Sequence, residues 1–275
     1  MTDRYAVIGN PVEHSLSPAI HAEFARATGE DVSYGRILAP LDGFKAAVER
    51  FRGEGGKGLN VTLPFKAEAW GLADSHSPAA AAAGAVNTLK FEYGRITGHN
   101  TDGIGLVHDL AGNLGRAVRG ARVLVMGAGG ASYGVMEPLL RELPQSIVVA
   151  NRTVEKAQAL IRHFERLSAE LGIRRFSWLA YDRLRNDPFD IVINATSAGL
   201  SEAMPPLPRE AFAPGALAYE MVYGRRTRFM KFAIECGARA ADGLGMLVEQ
   251  AAESFFIWRG VRPETRPVID MLRKG

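Results

Sequence analysis

The sequence predicts an α/β protein of two domains, each built on a mostly parallel sheet, the second of them Rossmann-like. Three observations carry this. Short β-rich runs alternate with longer helical patterns from end to end, and that alternation is the signature of parallel strands joined by covering helices. The β–α pattern restarts near residue 102. The run Arg122–Met126 leads directly into a glycine cluster.

In the first half, Tyr5–Ile8, Ser33–Leu38 and Leu59–Thr62 read as strands, and helices begin near Pro18, Asp42 and Pro64. Pro78–Ala83 is a short alanine-rich helix. Val86–Phe91 is another strand, with Gly94-Arg95 turning into a short partner. Ile104–Leu114 has helical periodicity and opens the second set. Arg122–Met126 is a buried strand, Ser132–Leu143 a helix, Ile147–Ala150 a strand and Thr153–Leu171 a long helix. Further strands fall at Ile191–Asn194, Leu217–Met221 and near Arg239–Ala241. Two helices end the chain, Leu244–Arg259 and Thr265–Arg273, with Pro267 in the first turn of the second, where a missing N–H costs nothing.

Composition narrows the function classes. With 47% hydrophobic and 23% charged residues in 275, the chain is globular and long enough for a sizeable core. The formal net charge of +3 comes without a basic run, so no nucleic-acid footprint is present. No apolar stretch reaches membrane-spanning length, and the opening residues, with Asp3 and no long apolar run, do not read as a secretory signal. The lone cysteine, Cys236, makes no internal disulfide, which suits a reducing cytoplasm. The six histidines show neither an HExxH pair nor zinc spacing, so no metal is expected.

The glycine cluster Gly127-Ala-Gly-Gly-Ala-Ser132 sits between a strand and a helix, the context of a dinucleotide fingerprint. Gly127 permits the tight turn, and Gly129 or Gly130 lets the backbone approach a pyrophosphate at the helix N-terminus. Ser132 stands where the third glycine is usual, and an ordinary tight βα turn remains the alternative. The next strand ends in Asn151-Arg152-Thr153, where NAD-binding folds place an acidic residue for the ribose 2′-hydroxyl. An arginine there suits a 2′-phosphate and favours NADP, unless Arg152 is merely solvated and Thr153 only caps the next helix.

Three segments of the first half offer polar groups. Ser15 and Ser17 point the same way in an extended backbone, and Pro18 suits a first helical position, which makes Ser17 a natural N-cap. Two hydroxyls at a helix N-terminus seat a carboxylate, or they cap with no ligand. Thr62 and Lys66 lie at or past a strand's carboxyl end, where α/β sheets place their sites, although a surface lysine needs no function. Asn87 and the run His99-Asn100-Thr101-Asp102 add further groups, and Asp102 also suits the first turn of a helix.

Eight motifs now stand in order over nearly the whole chain: GNPVxHSxSP, NVTxPFK, GAVNT, GxNTDG, GAGGAS, NRT, NATSAG and DGLGMLVEQAA. The chain thereby resembles the shikimate dehydrogenases, NADP-dependent enzymes of aromatic amino acid biosynthesis. The resemblance implies a substrate-binding domain of residues 1–101 with 244–275, the C-terminal helices returning to it, and an NADP-binding domain of residues 102–243. It implies reversible reduction of 3-dehydroshikimate to shikimate. It gives Lys66 the role of acid/base paired with Asp102. Ser15 and Ser17 are to hold the substrate carboxylate, and Thr62, Asn87 and Asp102 its ring hydroxyls, with Tyr223 and Gln250 completing the pocket. For the cofactor it points to Gly127, Ala128, Gly129, Gly130 and Ala131 at the pyrophosphate, to Asn151, Arg152, Thr153 and Lys156 at the adenosine phosphate, and to Met221 and Gly243 near the nicotinamide.

Several positions depart from the commonest pattern of that family: Ala22, Tyr133, Glu220 and His99. Tyr133 weakens the expectation at the phosphates, and His99 is expected to add a pH dependence near the site. Two other readings stand beside the first. A quinate or quinate/shikimate dehydrogenase using NAD or both cofactors shares most of these motifs. A non-catalytic NADP-binding regulator would not need Lys66 and Asp102. The expected partner is a small-molecule substrate, with no nucleic acid and no membrane. A homodimer is the one assembly left open.

Overall fold

A computed structural model describes residues 2–196, 204 and 206–274. The chain divides into two compact units, residues 1–105 with 247–275, and residues 106–246.

The first unit is built on a six-stranded mixed sheet. Its strands are β1 (Asp3–Gly9), β2 (Val32–Leu38), β3 (Gly56–Val61), β4 (Ser75–His76), β5 (Thr88–Glu92) and β6 (Arg95–His99), in the order β2-β1-β3-β5-β6-β4. Three of the five pairings are parallel, and β5 is antiparallel to both its neighbours. Helices α1 (Ser17–Thr28), α2 (Phe44–Gly53), α3 (Lys66–Leu72) and α4 (Pro78–Ala83) connect the strands, and α5 (Asp102–His108) follows β6. Val7, Ile8, Leu59 and Val61 are buried because a parallel strand is covered on both faces, which is why these runs lack polar alternation. One face carries Ile8, Phe44, Val48, Leu59 and Phe65 in a common core. The other is covered by α1 with the last two helices, α9 (Leu244–Arg259) and α10 (Arg266–Lys274), through Ile20, Phe24, Val248, Phe255 and Ile269.

The second unit holds six parallel strands: β7 (Arg122–Met126), β8 (Ser146–Ala150), β9 (Arg175–Leu179), β10 (Phe189–Asn194), β11 (Phe212–Glu220) and β12 (Arg239–Asp242). Their order is β12-β11-β10-β7-β8-β9. Numbered from β7, this is the 3-2-1-4-5-6 arrangement of dinucleotide-binding folds, with its switch point between β7 and β10. Helices α6 (Gly130–Arg141), α7 (Val154–Glu170) and α8 (Arg228–Glu235) belong to the same unit, and its core gathers Leu124, Val148, Val192, Phe189, Ala218 and Phe229.

Three local expectations change. Ser17 is the first residue of α1, not its cap. Leu16 occupies the cap position without a side-chain bond, and the Ser15 hydroxyl accepts the Ser17 N–H at 3.3 Å. Thr153 does stand at the N-cap of α7, but its side chain makes no capping bond. The strand expected from Val86 begins at Thr88, because Val86 and Asn87 are drawn aside by the Lys66 carbonyl and the His99 carbonyl. β9 and α8 were not anticipated. Of the NATSAG motif, Ser197, Ala198 and Gly199 lie outside the described residues.

Candidate active site

In the first unit the predicted residues gather at the carboxyl ends of β1 and β3. These two strands are neighbours, and their loops leave so close together that a Cβ on Gly9 would overlap the Thr62 methyl. After β3 the chain turns through Thr62-Leu-Pro-Phe, closed by the Phe65 N–H on the Thr62 carbonyl at 3.1 Å. Phe65 is fully buried and stacks on Phe44 with ring centroids 4.9 Å apart. Burying a phenylalanine contributes about 2 kcal/mol, and here it fixes where α3 begins. Lys66 is the first residue of α3.

Asp102 opens α5. The Asn100 side-chain oxygen accepts its backbone N–H at 3.1 Å, and the Asn100 amide donates to the Ala85 carbonyl at 3.1 Å. Lys66 Nζ lies 2.6 Å from Asp102 Oδ2, and Asn87 Nδ2 donates to Asp102 Oδ1 at 2.7 Å. Both charged side chains are only partly screened from solvent, at 30% and 17% exposure. An ion pair with this much residual exposure contributes little net stability.

The orientation of Asn87 is unambiguous. Its Oδ1 accepts the Thr101 backbone N–H at 2.9 Å and the Thr88 hydroxyl at 2.9 Å, so its amide nitrogen must face Asp102. Behind it runs a buried network that sequence reasoning did not identify. Ser254 on α9 bonds Thr88 at 2.7 Å and accepts from Asn60 Nδ2 at 2.9 Å. Asn60 Oδ1 accepts from the Tyr34 hydroxyl at 2.7 Å, and Ser17 lies beside that hydroxyl. Tyr34 is therefore joined to Asp102 through Asn60, Thr88 and Asn87. Thr101 meets Gln250 Oε1 at 3.3 Å, which brings Gln250 to the same group. Asn60 and Thr88 stand inside recognised motifs, but nothing in their spacing announces a partner on a helix near the far end of the chain.

Thr62 is half-buried beside this group, and Ser15 is half-buried at the start of α1. Tyr223 lies in the second unit, partly exposed on the segment after β11. Burial and the charge of Lys90 push the His99 imidazole below its usual pKa, with Glu253 pulling the other way.

In the second unit Gly127 has φ +106°, a conformation side chains rarely adopt, and a Cβ there would come within 3.0 Å of the Ala195 carbonyl across the switch point. Gly129 and Gly130 face open space, and α6 has no side-chain cap, so its first N–H groups remain for a ligand. Ser132 explains the absent third glycine: fully buried, it donates to the Gly127 carbonyl at 2.8 Å and closes the turn itself. Ala128 is buried and Ala131 exposed. Tyr133 leans on His163 and Phe164, with ring centroids 5.3 and 6.0 Å away. At the end of β8, Asn151 Nδ2 donates to the Thr153 carbonyl at 2.8 Å, and Arg152 and Lys156 are exposed. Met221 and Gly243 are adjacent at the ends of β11 and β12, where a Cβ on Gly243 would overlap the Met221 carbonyl. Open backbone at a glycine turn, free helical N–H groups and an exposed arginine fit a phosphorylated dinucleotide. Among the described residues no His/Cys/Asp/Glu group is arranged to hold a metal ion, and no helix is long and apolar enough to cross a membrane.

Known proteins resemble this chain over nearly its whole length. Residues 7–89 match the family model described as shikimate dehydrogenase substrate binding domain, residues 109–201 match shikimate / quinate 5-dehydrogenase, and residues 243–273 match shikimate 5'-dehydrogenase C-terminal domain. A shikimate dehydrogenase (NADP(+)) of Alkalilimnicola ehrlichii is 58% identical, over 99% of both chains. Among solved structures, an Ael1 enzyme from Pseudomonas putida is 51% identical with a TM-score of 0.93, covering 98% of both chains. Shikimate 5-dehydrogenase from Thermus thermophilus, in complex with NADP(H) and shikimate, is 34% identical with a TM-score of 0.86, covering 99% of both chains.

Proposed function

Because the chain belongs to the shikimate dehydrogenase (NADP(+)) family of oxidoreductases, we propose that it catalyses the reversible reduction of 3-dehydroshikimate to shikimate, a step of chorismate and aromatic amino acid biosynthesis. One observation carries the assignment: the 2.6 Å approach of Lys66 Nζ to Asp102, with Asn87 holding the other carboxylate oxygen.

NADPH supplies the hydride. When a carbonyl carbon receives it, negative charge grows on the oxygen. The Lys66 ammonium stabilises that charge and gives up a proton to it, and in the reverse direction the Lys66 amine takes the proton from the hydroxyl. Asp102 orients Lys66 and, with Thr62 and Asn87, binds ring hydroxyls. Ser15 and Ser17 bind the substrate carboxylate, and Gln250 and Tyr223 complete the pocket. In this reading residues 1–105 with 247–275 bind substrate and residues 106–246 bind NADP. Gly127 to Ala131 receive the pyrophosphate, Asn151, Arg152, Thr153 and Lys156 the adenosine phosphate, and Met221 and Gly243 the nicotinamide. A cytoplasmic location and a homodimer go with the same reading, the latter open to light scattering.

The test is a spectrophotometric assay of the purified protein, crossing shikimate and quinate with NADP⁺ and NAD⁺. Turnover of shikimate with NADP⁺, well above the other three combinations, is the expected result. Preference for quinate or NAD⁺ would replace the assignment, and no turnover in any combination would make the chain a binding protein.

A further inference from the structure

Glu220 ends β11 and is completely buried. Three donors converge on its carboxylate. Asn194 Nδ2 reaches Oε2 at 2.8 Å, the Thr227 hydroxyl reaches Oε2 at 2.9 Å, and the Val222 N–H reaches Oε1 at 3.3 Å. Each comes from a different segment: the end of β10, the cap of α8, and the turn after β11.

The direction of every bond is fixed by what stands behind the donor. Asn194 Oδ1 accepts the Thr196 N–H at 3.2 Å and the Thr196 hydroxyl at 2.7 Å, so its amide nitrogen must face Glu220. The Thr227 oxygen accepts the Met230 N–H at 3.3 Å, which leaves its proton for Glu220. A backbone N–H can only donate. The position therefore suits a carboxyl group, whose two oxygens can accept all three bonds. An amide of the same shape would set an NH₂ group against one of these donors. Burial pushes the Glu220 pKa up, with its hydrogen bonds and the charge of Arg225 pulling the other way. Burying a carboxyl group is a poor way to gain stability, so the arrangement calls for a geometric purpose.

That purpose is visible in what the three segments touch. Ala195 and Thr196 lie where a Cβ on Gly127 would come within 3.0 and 3.2 Å of them, so they form the floor of the glycine turn. The Met221 carbonyl fills the space above Gly243, and the Gly243 N–H donates to the Val222 carbonyl at 3.3 Å. We propose that Glu220 is a positioning residue for the cofactor: its carboxylate holds the turns after β10 and β11 in the one arrangement that seats the pyrophosphate and the nicotinamide of NADP. This rests on the cofactor site described under the proposed function. Glu220 touches neither substrate nor reacting atoms. It acts through Asn194, Val222 and Thr227.

The test compares Glu220→Gln and Glu220→Asp with the parent enzyme. NADPH binding is followed by the fluorescence of the bound dihydronicotinamide, without shikimate, beside steady-state kinetics and thermal melting. Glu220→Gln is expected to weaken NADPH binding and raise the KM for NADP⁺ about tenfold, the effect of losing one charge-assisted hydrogen bond. The KM for shikimate should stay within about twofold of the parent value, well under one hydrogen bond's effect. Glu220→Asp keeps the carboxyl group and should recover most of the binding. If Glu220→Gln does not fold, Thr227→Val removes one donor from the same carboxylate and should weaken NADPH binding by roughly threefold to tenfold. Unchanged NADPH binding in the folded variants overturns the inference even if the melting temperature falls. An equal rise in the KM for shikimate overturns it too, as general loosening. A parent protein that binds no NADPH would instead end the cofactor assignment, and that measurement comes first.

Discussion

The imidazole of His21 lies flat against the phenol of Tyr34, with ring centroids 4.2 Å apart and planes 6° from parallel. Trp258, Phe24 and Phe255 close the remaining sides, and neither ring nitrogen has a hydrogen-bond partner among the described residues. Desolvation lowers the His21 pKa to about 3. In the unfolded chain the same ring titrates near its ordinary value of about 6.5. The unfolded state therefore binds more protons between those two values, and stability is lost as pH falls through that window. Denaturant unfolding of the parent at about pH 7.5 and pH 4.5 should show a loss on the order of 2 kcal/mol that His21→Phe does not share. Parallel losses in the two proteins would place the acid sensitivity elsewhere.

Tyr34 has a second task. Its hydroxyl occupies Asn60 Oδ1 and meets Ser17, so Tyr34→Phe leaves a buried amide oxygen short of a donor. The cost should be about 1–2 kcal/mol in stability. Because Ser17 loses its support, the KM for shikimate should rise severalfold while kcat changes little. Steady-state kinetics with shikimate as the varied substrate would separate the two effects. A fall in kcat at unchanged KM would mean that Tyr34 serves the acid–base pair instead.

Lys66→Ala removes the proposed proton donor but leaves Asn87, Thr62 and the serines in place. The turnover rate should fall about a thousandfold, within the usual range for a lost acid/base, with much smaller change in substrate binding. Binding can be read by calorimetric titration of the inactive variant with shikimate. Turnover near the parent level would remove Lys66 from the reaction.

Arg152→Ala tests cofactor choice at the end of β8. The KM for NADPH should rise far more than that for NADH, by roughly tenfold or more if the guanidinium pairs with a 2′-phosphate. Equal changes with the two cofactors would show that Arg152 does not distinguish them.

Much of the scaffold was legible because its patterns run cleanly to their ends. Arg122–Met126 and Leu244–Arg259 fall where sequence places them, the first bounded by a glycine turn and the second by a continuous helical face. β9 escaped because an edge strand with an arginine at its start and partly exposed residues along it lacks the buried run of its neighbours. The eight-residue α8 escaped for want of length. Ser17 was misjudged as a cap because Pro18 suits the first turn as well as the first position. The motifs named Lys66, Asp102 and Asn87, whose side chains meet in the fold. Tyr34 and Ser254 bond residues far along the chain, and Glu220 gathers donors from three separate turns, and such bonds leave no periodicity to read.

The bonds from Ser254 to Asn60 and Thr88, and from the Trp258 indole to the Leu89 carbonyl at 3.0 Å, carry a further consequence for biogenesis. The ribosome makes Lys66, Asn87 and Asp102 early, then the whole of the other unit (106–246), and only then the helix that closes the polar network behind them. A nascent chain therefore carries this polar network unfinished until α9 is made. Competence for turnover should arrive in a single late step, when α9 emerges and docks.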